Sequence, residues 1–242
     1  MPELLVRLPH VDEVLSQDQE YCLLVEDGKK RRIRFHDYGE IYSIPGLYEK
    51  LFADLLKCSS PEMIATLLAD EVERTGESVA DLHVLDLGAG NGMVGEQLRA
   101  RGVRRLVAVD IIEEAAEAAR RDRPDVYQRY HVGDIRDLPA DARDDLAARD
   151  INCMTCVAAL GFGDIPPTAF LAAYDLVPSG GWIAFNIKDT FLDKRTGNGF
   201  AALIREMIGD GRLRVCTQRT YTHRLSVSGD KLPYVAMVAR KA

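Results

Sequence analysis

The clearest structural signal in the chain lies at residues 84–92, which read Val84-Leu85-Asp86-Leu87-Gly88-Ala89-Gly90-Asn91-Gly92. The apolar residues at the start of this stretch predict a buried strand, and the three glycines predict a tight loop that leads into a helix. Glycines remove side chains from the backbone, so a ligand can lie directly against main-chain N–H groups at the helix start. The stretch therefore predicts a strand–loop–helix unit with a ligand site at the loop.

Short apolar runs alternate with helical patterns through the rest of the chain. The predicted strands are His83–Leu87, Arg105–Val109, Val126–Val132, Ile151–Ala158, Trp182–Ile187, Arg212–Leu225 and Pro233–Arg240. The predicted helices between them are Met93–Arg101, Glu113–Arg123, Ala140–Ala148, Pro167–Leu176 and Phe200–Ile208. This alternation predicts an α/β, Rossmann-like, seven-stranded sheet that is parallel with an antiparallel last strand and has helices on both faces. Only a short turn joins the final two strands, so they should pair antiparallel.

The N-terminal segment has a different character. Tyr21–Val25 and Arg32–Phe35 read as strands, and Asp27-Gly28 between them is a turn pair typical of hairpins. The basic run that follows this turn is interpreted as a solvated strand edge in preference to an anion-binding patch. The sequence thus predicts an N-terminal hairpin in front of the main domain.

Two helices are predicted between the hairpin and the main sheet. An apolar stripe covers Leu47–Lys57, and a second helix should start at Ser59, which has capping-box spacing to Glu62. With the preceding tyrosine-rich stretch they predict a helical cap. We divide the chain into a hairpin and lid segment at residues 1–45 and a main domain at residues 46–242.

Composition narrows the classes of function. The 242 residues are 47% hydrophobic and 29% charged, and the net charge is -7. An acidic chain lacks the basic footprint of a nucleic-acid binder, so we expect no nucleic-acid partner. No apolar run is long enough to cross a membrane and no apolar leader begins the chain, so a cytoplasmic protein is expected. Cys153 and Cys156 are interpreted as core residues, and no metal site is expected.

The glycine loop matches two fingerprints in two registers. Residues from Gly90 to Gly95 form a literal GxGxxG, the pattern of dinucleotide-binding loops, which is weak alone. Counted from the strand end at Gly88, however, the third glycine of that pattern is replaced by Met93. Asp86 would also repel a pyrophosphate, whereas a ligand with an ammonium and a sulfonium group would be attracted.

The pattern Asp86-x-Gly88-x-Gly90-x-Gly92 resembles the first motif of class I S-adenosylmethionine-dependent methyltransferases. The next predicted strand ends in Asp110, where that family has an acid that accepts hydrogen bonds from both ribose hydroxyls. The resemblance implies S-adenosylmethionine as cofactor and S-adenosylhomocysteine as product. It places Asp134 on the adenine amino group and Ile135 against the ring. The implied cofactor contacts are Tyr42, Tyr48, Asp86, Gly88, Ala89, Gly90, Gly92, Asp110, Ile111, Gly133, Asp134, Ile135 and Ala158.

One subgroup is more similar than the others. Small methyltransferases of the methyltransferase-like 27 and type 11–12 group resemble this chain at a tyrosine-rich N-terminal segment, at the Gly-x-Val-Gly end of the loop, and at two later turns. The matching stretches are 38–48, 92–95, 163–167 and 178–181. The segment departs in detail, because no tryptophan follows Tyr38.

A methyltransferase acting on a small-molecule acceptor is the function that these features favour. Methyl transfer from a sulfonium depends mainly on alignment, and a base is needed only when the acceptor must lose a proton. Asp189 and His36 are the candidate catalytic bases. The alternatives are a non-catalytic S-adenosylmethionine-binding or regulatory protein and an NAD-dependent oxidoreductase. The hairpin is predicted either to cover the acceptor or to form a homodimer surface.

Overall fold

Two β-sheets organise the computed structural model, which describes residues 4–10, 15–26, 28–160, 165–188 and 199–242. The strands are β1 (Leu5–Arg7), β2 (Tyr21–Glu26), β3 (Lys29–Arg34), β4 (His83–Leu87), β5 (Arg105–Asp110), β6 (Arg129–Val132), β7 (Cys153–Cys156), β8 (Trp182–Lys188), β9 (Leu213–Leu225) and β10 (Lys231–Lys241). The α-helices are α1 (Tyr38–Ser43), α2 (Ser60–Arg74), α3 (Met93–Ala100), α4 (Glu113–Asp122), α5 (Ala140–Ala147), α6 (Pro167–Asp175) and α7 (Gly199–Gly209). None of the helices in the described ranges is long and apolar enough to span a bilayer.

The larger sheet has seven strands in the order β6-β5-β4-β7-β8-β10-β9. The pairs from β6 to β8 are parallel, and β10 runs antiparallel to both β8 and β9. This confirms the predicted sheet and its antiparallel last strand. Because the strand order reverses between β4 and β7, a crevice for a ligand is expected at the carboxyl ends of these strands.

Apolar side chains cover both faces of this sheet. Successive residues of a strand point to opposite faces, and β4 follows that rule. Leu85 and Leu87 pack in one core with side chains of α5, α6 and α7. Val84 packs in a second core with side chains of α2 and α3. Asp86 lies on the Val84 side of the strand, so its carboxylate is carried into the interior and not to the end of the sheet.

The smaller sheet is the predicted hairpin extended by one strand. Its antiparallel order is β1-β2-β3, and Glu26 pairs with Lys29 across a two-residue turn. Gly28 has φ +74°, whereas Asp27 lies outside the described residues. The second strand begins at Lys29, earlier than predicted, because the basic run occupies an exposed strand edge that tolerates charge.

Three local predictions are corrected by the structure. The segment Glu49–Leu55 is helical but π-helical, so the predicted α-helix over Leu47–Lys57 is wrong in type. Ser59 precedes α2 without capping it, because its hydroxyl donates to the Thr222 carbonyl of β9 at 2.8 Å. The strand predicted over Val126–Val132 contains only β6, since residues before it pack beneath α3.

Gly95 of α3 carries a strong packing constraint. A Cβ at this position would lie 2.5 Å from Val126 Cγ1 and 2.7 Å from the Tyr127 ring. The last glycine of the GxGxxG pattern is therefore explained by helix packing against the segment that precedes β6.

We expect Gly95→Ala to lower the free energy of unfolding by about 1–3 kcal/mol, the usual cost of overpacking. Gly209→Ala is the matched control, because Gly209 also lies in a helix and a Cβ there has no neighbour within 4 Å. Urea denaturation followed by circular dichroism measures both. Equal stabilities of the two variants would contradict the packing argument.

Candidate functional site

A cleft of about 840 Å³, open solvent included, lies at the carboxyl ends of the parallel strands β4, β5, β6 and β7. Its walls bring together most of the residues that the sequence predicted. They are Tyr42, Tyr48, Gly88, Asp110, Ile111, Gly133, Asp134, Ile135 and Ala158. Ile165, Pro166 and Ala169 close the far side. The position matches the crevice that the strand order favours.

The glycine loop needs its glycines for both conformation and space. Gly88, Gly90 and Gly92 have φ values of +70°, +54° and +89°, in the left-handed region where a Cβ is strained. A Cβ on Gly88 would lie 2.8 Å from Ile165 Cδ1, and one on Gly90 would lie 2.5 Å from the Tyr42 hydroxyl. The loop therefore presents bare backbone to the cleft and to its cover.

Asp110 ends β5 with its carboxylate at the cleft. The backbone N–H of Gly90 donates to Oδ2 at 2.8 Å, and the N–H of Ile112 donates to Oδ1 at 3.0 Å. Burial raises the pKa of this carboxyl, and these N–H groups oppose the rise. Since each carboxylate oxygen has two acceptor sites, each oxygen can accept one further hydrogen bond. The group thus suits a ligand with two neighbouring hydroxyls.

Asp86 has a different place, beneath the loop. The Tyr127 hydroxyl donates to its Oδ2 at 2.6 Å, and the Thr155 hydroxyl donates to its Oδ1 at 2.7 Å. Burial raises the pKa of Asp86 to about 6, against the effect of these two hydrogen bonds. Sequence reasoning missed Tyr127, because its partner is remote along the chain and no motif includes it.

Four predicted cofactor residues do not line the cleft. They are Asp86, Ala89, Gly90 and Gly92. Asp86 points into the interior, and the Tyr42 hydroxyl covers Gly90. Their contact with a cofactor stays a prediction. Such a contact has to be made by the loop backbone, or after Tyr42 moves away from Gly90.

Asp134 and Arg136 form an exposed pair at the cleft rim. The Asp134 carboxylate accepts a hydrogen bond from the Arg136 backbone N–H at 2.9 Å and forms an ion pair with its guanidinium. These interactions lower the pKa of Asp134 to about 2. Arg136 also donates to the Thr168 hydroxyl at 2.9 Å, which links the rim to α6. Arg136 lines the cleft and was not predicted.

Stacked aromatic rings roof the cleft. The ring centroids of Tyr38 and Tyr42 are 6.2 Å apart, those of Tyr42 and Tyr48 are 5.0 Å apart, and those of Tyr48 and Phe52 are 4.7 Å apart. Tyr42 packs on α4 against Ala115, and burial raises the pKa of its hydroxyl, which stays protonated. Helix α1 is thereby held against α4 beside the cleft.

Of the two predicted catalytic bases, His36 and Asp189, only His36 lies within the described residues. His36 stacks edge-on against Tyr38, with 5.7 Å between ring centroids, and borders a second, smaller chamber that adjoins the cleft. Asp189 lies outside the described residues. The role of these two residues as bases stays a prediction.

Ala158 stands where the cleft and the second chamber meet. It lines both, and its φ of +59° is unusual for a residue other than glycine. Its N–H donates to Asn186 Oδ1 at 2.6 Å, which holds this backbone in place. Strain of this kind concentrates at functional sites.

The cysteines belong to the interior. Cys153 and Cys156 are buried in β7, and burial raises the pKa of both thiols. Within the described ranges, no group of three or more His, Cys, Asp or Glu side chains could hold a metal ion.

We compared the chain with known proteins by sequence profile and by fold. Residues 84–181 match the profile of a methyltransferase domain family. The fold is similar to an S-adenosylmethionine-dependent methyltransferase from Clostridium acetobutylicum, with a TM-score of 0.54, 15% identity, and coverage of 81% of this chain and 96% of that chain. No curated protein matches the chain in sequence.

Two further similar structures contain a ligand. Magnesium protoporphyrin IX methyltransferase from Synechocystis, with bound S-adenosylhomocysteine, has a TM-score of 0.52 and 17% identity, with 75% of this chain and 83% of that chain covered. An O-methyltransferase from Bacillus cereus in complex with S-adenosylhomocysteine has a TM-score of 0.50 and 16% identity, with coverage of 75% and 80%. The predicted Rossmann-like methyltransferase fold is confirmed. S-adenosylmethionine as the cofactor of this chain stays a prediction. The narrower subgroup stays a prediction.

The buried Asp86 carboxyl predicts a pH dependence of stability. The folded protein keeps its proton up to about pH 6, whereas the unfolded chain releases it near pH 4. At Asp86 the folded state binds more protons in this window, so the contribution of this group to the free energy of unfolding is highest below about pH 4 and falls as pH rises through 6.

We therefore expect the stability advantage of the wild type over Asp86→Asn to shrink by about 2 kcal/mol from pH 4 to pH 7. The exposed Asp125→Asn variant is the control. Urea denaturation across this range measures the difference, and a constant gap between wild type and Asp86→Asn would refute the assignment.

Proposed function

We propose that this chain, which carries a class I S-adenosylmethionine-dependent methyltransferase domain, transfers a methyl group to a small-molecule acceptor. The observation that carries the proposal is the cleft at the strand ends, where the Asp110 carboxylate and the bare glycine loop meet under an aromatic lid. Asp110 and the glycine loop lie within residues 84–181, the range that the methyltransferase family profile matches.

The residues of the cleft fit the cofactor. The buried Asp110 carboxylate retains acceptor capacity for two ribose hydroxyls. Asp134 and Ile135 are the proposed partners of the adenine, and the bare backbone at Gly88, which lines the cleft, is the proposed contact of the methionine part. When bound, the cofactor supplies an electrophilic methyl group on a sulfonium.

The remaining residues of the site have to position the reacting molecules and to exclude water. Alignment alone can supply a large part of the rate enhancement of a displacement. The stack of Tyr38, Tyr42 and Tyr48 covers the cleft, and α1 is fixed to α4 beside it. We propose that residues 1–45 act as hairpin and lid segment for the methyltransferase domain of residues 46–242. His36 and Asp189 stay the proposed bases for acceptors that must lose a proton.

Charge favours a small acceptor over a nucleic acid. The chain has a net charge of -7. The one conspicuous basic run of the sequence lies in β3, where Arg31 forms ion pairs with Glu26 and Glu40. These ion pairs neutralise part of the positive charge of β3, so the strand is less suited to bind phosphate groups. A covered cleft likewise suits an acceptor that can enter it completely.

We expect Asp110→Ala to weaken S-adenosylhomocysteine binding at least 10-fold, because a hydrogen bond to a charged group contributes about 1.5–3 kcal/mol. Asp125→Ala, at an exposed aspartate, should bind like the wild type. Isothermal titration calorimetry measures all three proteins, with the unfolding midpoint as a check of folding. Unchanged affinity in a folded Asp110→Ala protein would remove Asp110 from the site.

Catalysis is tested by release of S-adenosylhomocysteine in a coupled assay with a panel of small phenols, amines and heterocycles. We expect turnover with at least one class and loss of it in Asp110→Ala. A protein that binds the cofactor but stays silent across the panel would be the regulatory alternative. A protein that binds neither cofactor nor product would contradict the proposal altogether.

A further inference from the structure

A second chamber of about 490 Å³, open solvent included, adjoins the cofactor cleft. Three residues, Tyr38, Tyr48 and the strained Ala158, line both cavities. The far walls come from the N-terminal segment, through Gln17 and His36, and from β9 and β10. Apart from Ala158, the residues that line the chamber lie outside the range that the methyltransferase family profile matches.

Gln17 provides an unsatisfied hydrogen-bond acceptor in the wall of this chamber. The residue is only 7% exposed, and its Oε1 has no hydrogen-bond partner among the described residues. Its Nε2 donates to the Tyr234 hydroxyl at 3.4 Å. A buried carbonyl oxygen without a donor is costly in a folded protein, so its retention calls for a functional explanation.

A buried hydrogen-bond network sets the tautomer of His223, which also lines the chamber. Asn186 accepts from the Ala158 N–H, so its Nδ2 must be the donor to Ser60 and to Tyr221. Every proton inside the network has an acceptor there only when Tyr221 donates to Ser60 at 2.6 Å and Ser60 donates to His223 Nδ1 at 2.5 Å. We therefore place the ring proton of His223 on Nε2.

His223 and Arg224 in the chamber wall offer no unpaired charge. Burial and the nearby Arg224 charge lower the pKa of His223 to about 3, so the ring is uncharged near neutral pH. Arg224 itself is buried in an ion pair with Glu20. An ionised ligand would lose its hydration here without gaining a counter-charge from His223 or Arg224.

We infer that this chamber binds the methyl acceptor, and that the acceptor is a small uncharged molecule that donates a hydrogen bond to Gln17 Oε1 and accepts one from His223 Nε2–H. The inference rests on the proposed function, since the shared wall at Ala158 places such a molecule next to the cofactor cleft. Compounds with adjacent N–H or O–H and carbonyl groups have the required chemistry. His223 is a binding residue in this account and no proton acceptor.

The test uses the full chain saturated with S-adenosylhomocysteine, and 2-pyridone as the probe, because it carries an N–H beside a carbonyl. Benzoate, of similar size but charged, is the comparison ligand. Binding is followed by calorimetry in wild type, Gln17→Met and the control Gln19→Met, which alters an exposed glutamine of the same turn. His223→Asn, which removes Nε2, is the second binding variant.

We expect wild type and Gln19→Met to bind 2-pyridone and to reject benzoate. Gln17→Met and His223→Asn should bind 2-pyridone at least 10-fold more weakly and S-adenosylhomocysteine as tightly as the wild type. Gln17→Met should also unfold at an equal or higher midpoint, because it removes an unpaired polar atom. A purely structural role for Gln17 would instead lower that midpoint.

Absence of 2-pyridone binding to the S-adenosylhomocysteine complex of the wild type overturns the inference, as does equal binding in wild type and Gln17→Met. Either result leaves the proposed methyltransferase function intact, provided that S-adenosylhomocysteine still binds. Failure of S-adenosylhomocysteine to bind the wild type would instead remove the proposed function, and the inference with it.

Discussion

The hydrogen bond from the Gly90 N–H to the Asp110 carboxylate joins the loop after β4 to the end of β5. This contact requires the backbone of Gly88 and Gly90 to adopt positive φ, and it requires a Cβ to be absent where Ile165 and Tyr42 approach. Once it is formed, the carboxylate is oriented by the protein before any ligand arrives. Such preorganisation saves the ligand the cost of ordering its own partner.

A second acidic residue, Asp86, lies beneath the loop that carries Gly90. Asp86 occupies the interior face of β4, where Tyr127 and Thr155 donate to its two oxygens. It thereby ties three strand regions together under the loop. The glycine of α3 at position 95 leaves the space that the Tyr127 ring fills. Thus the glycine pattern serves two purposes, exposure of the loop backbone and close packing of the helix beneath it.

Much of the fold could be predicted because its signals are local. The apolar run of β4 and the helical stripe of α4 differ in period, and the short turn before β10 permits only an antiparallel return. The partners of Asp86 could not be predicted, since Tyr127 is 41 residues away and belongs to no motif. The second chamber could not be predicted for the same reason, since its residues Gln17 and Tyr234 are 217 positions apart in the sequence. The predicted capping role of Ser59 was wrong because its hydroxyl donates to the Thr222 carbonyl, which is distant in the sequence.

The most direct test of the central claim is a crystal structure of the chain with S-adenosylhomocysteine. The account predicts the ligand in the cleft at the ends of β4, β5 and β6, with both ribose hydroxyls on the Asp110 carboxylate and with Asp86 still bound to Tyr127 and Thr155. Electron density for the ligand elsewhere, or ribose hydroxyls that make no contact with Asp110, would contradict it.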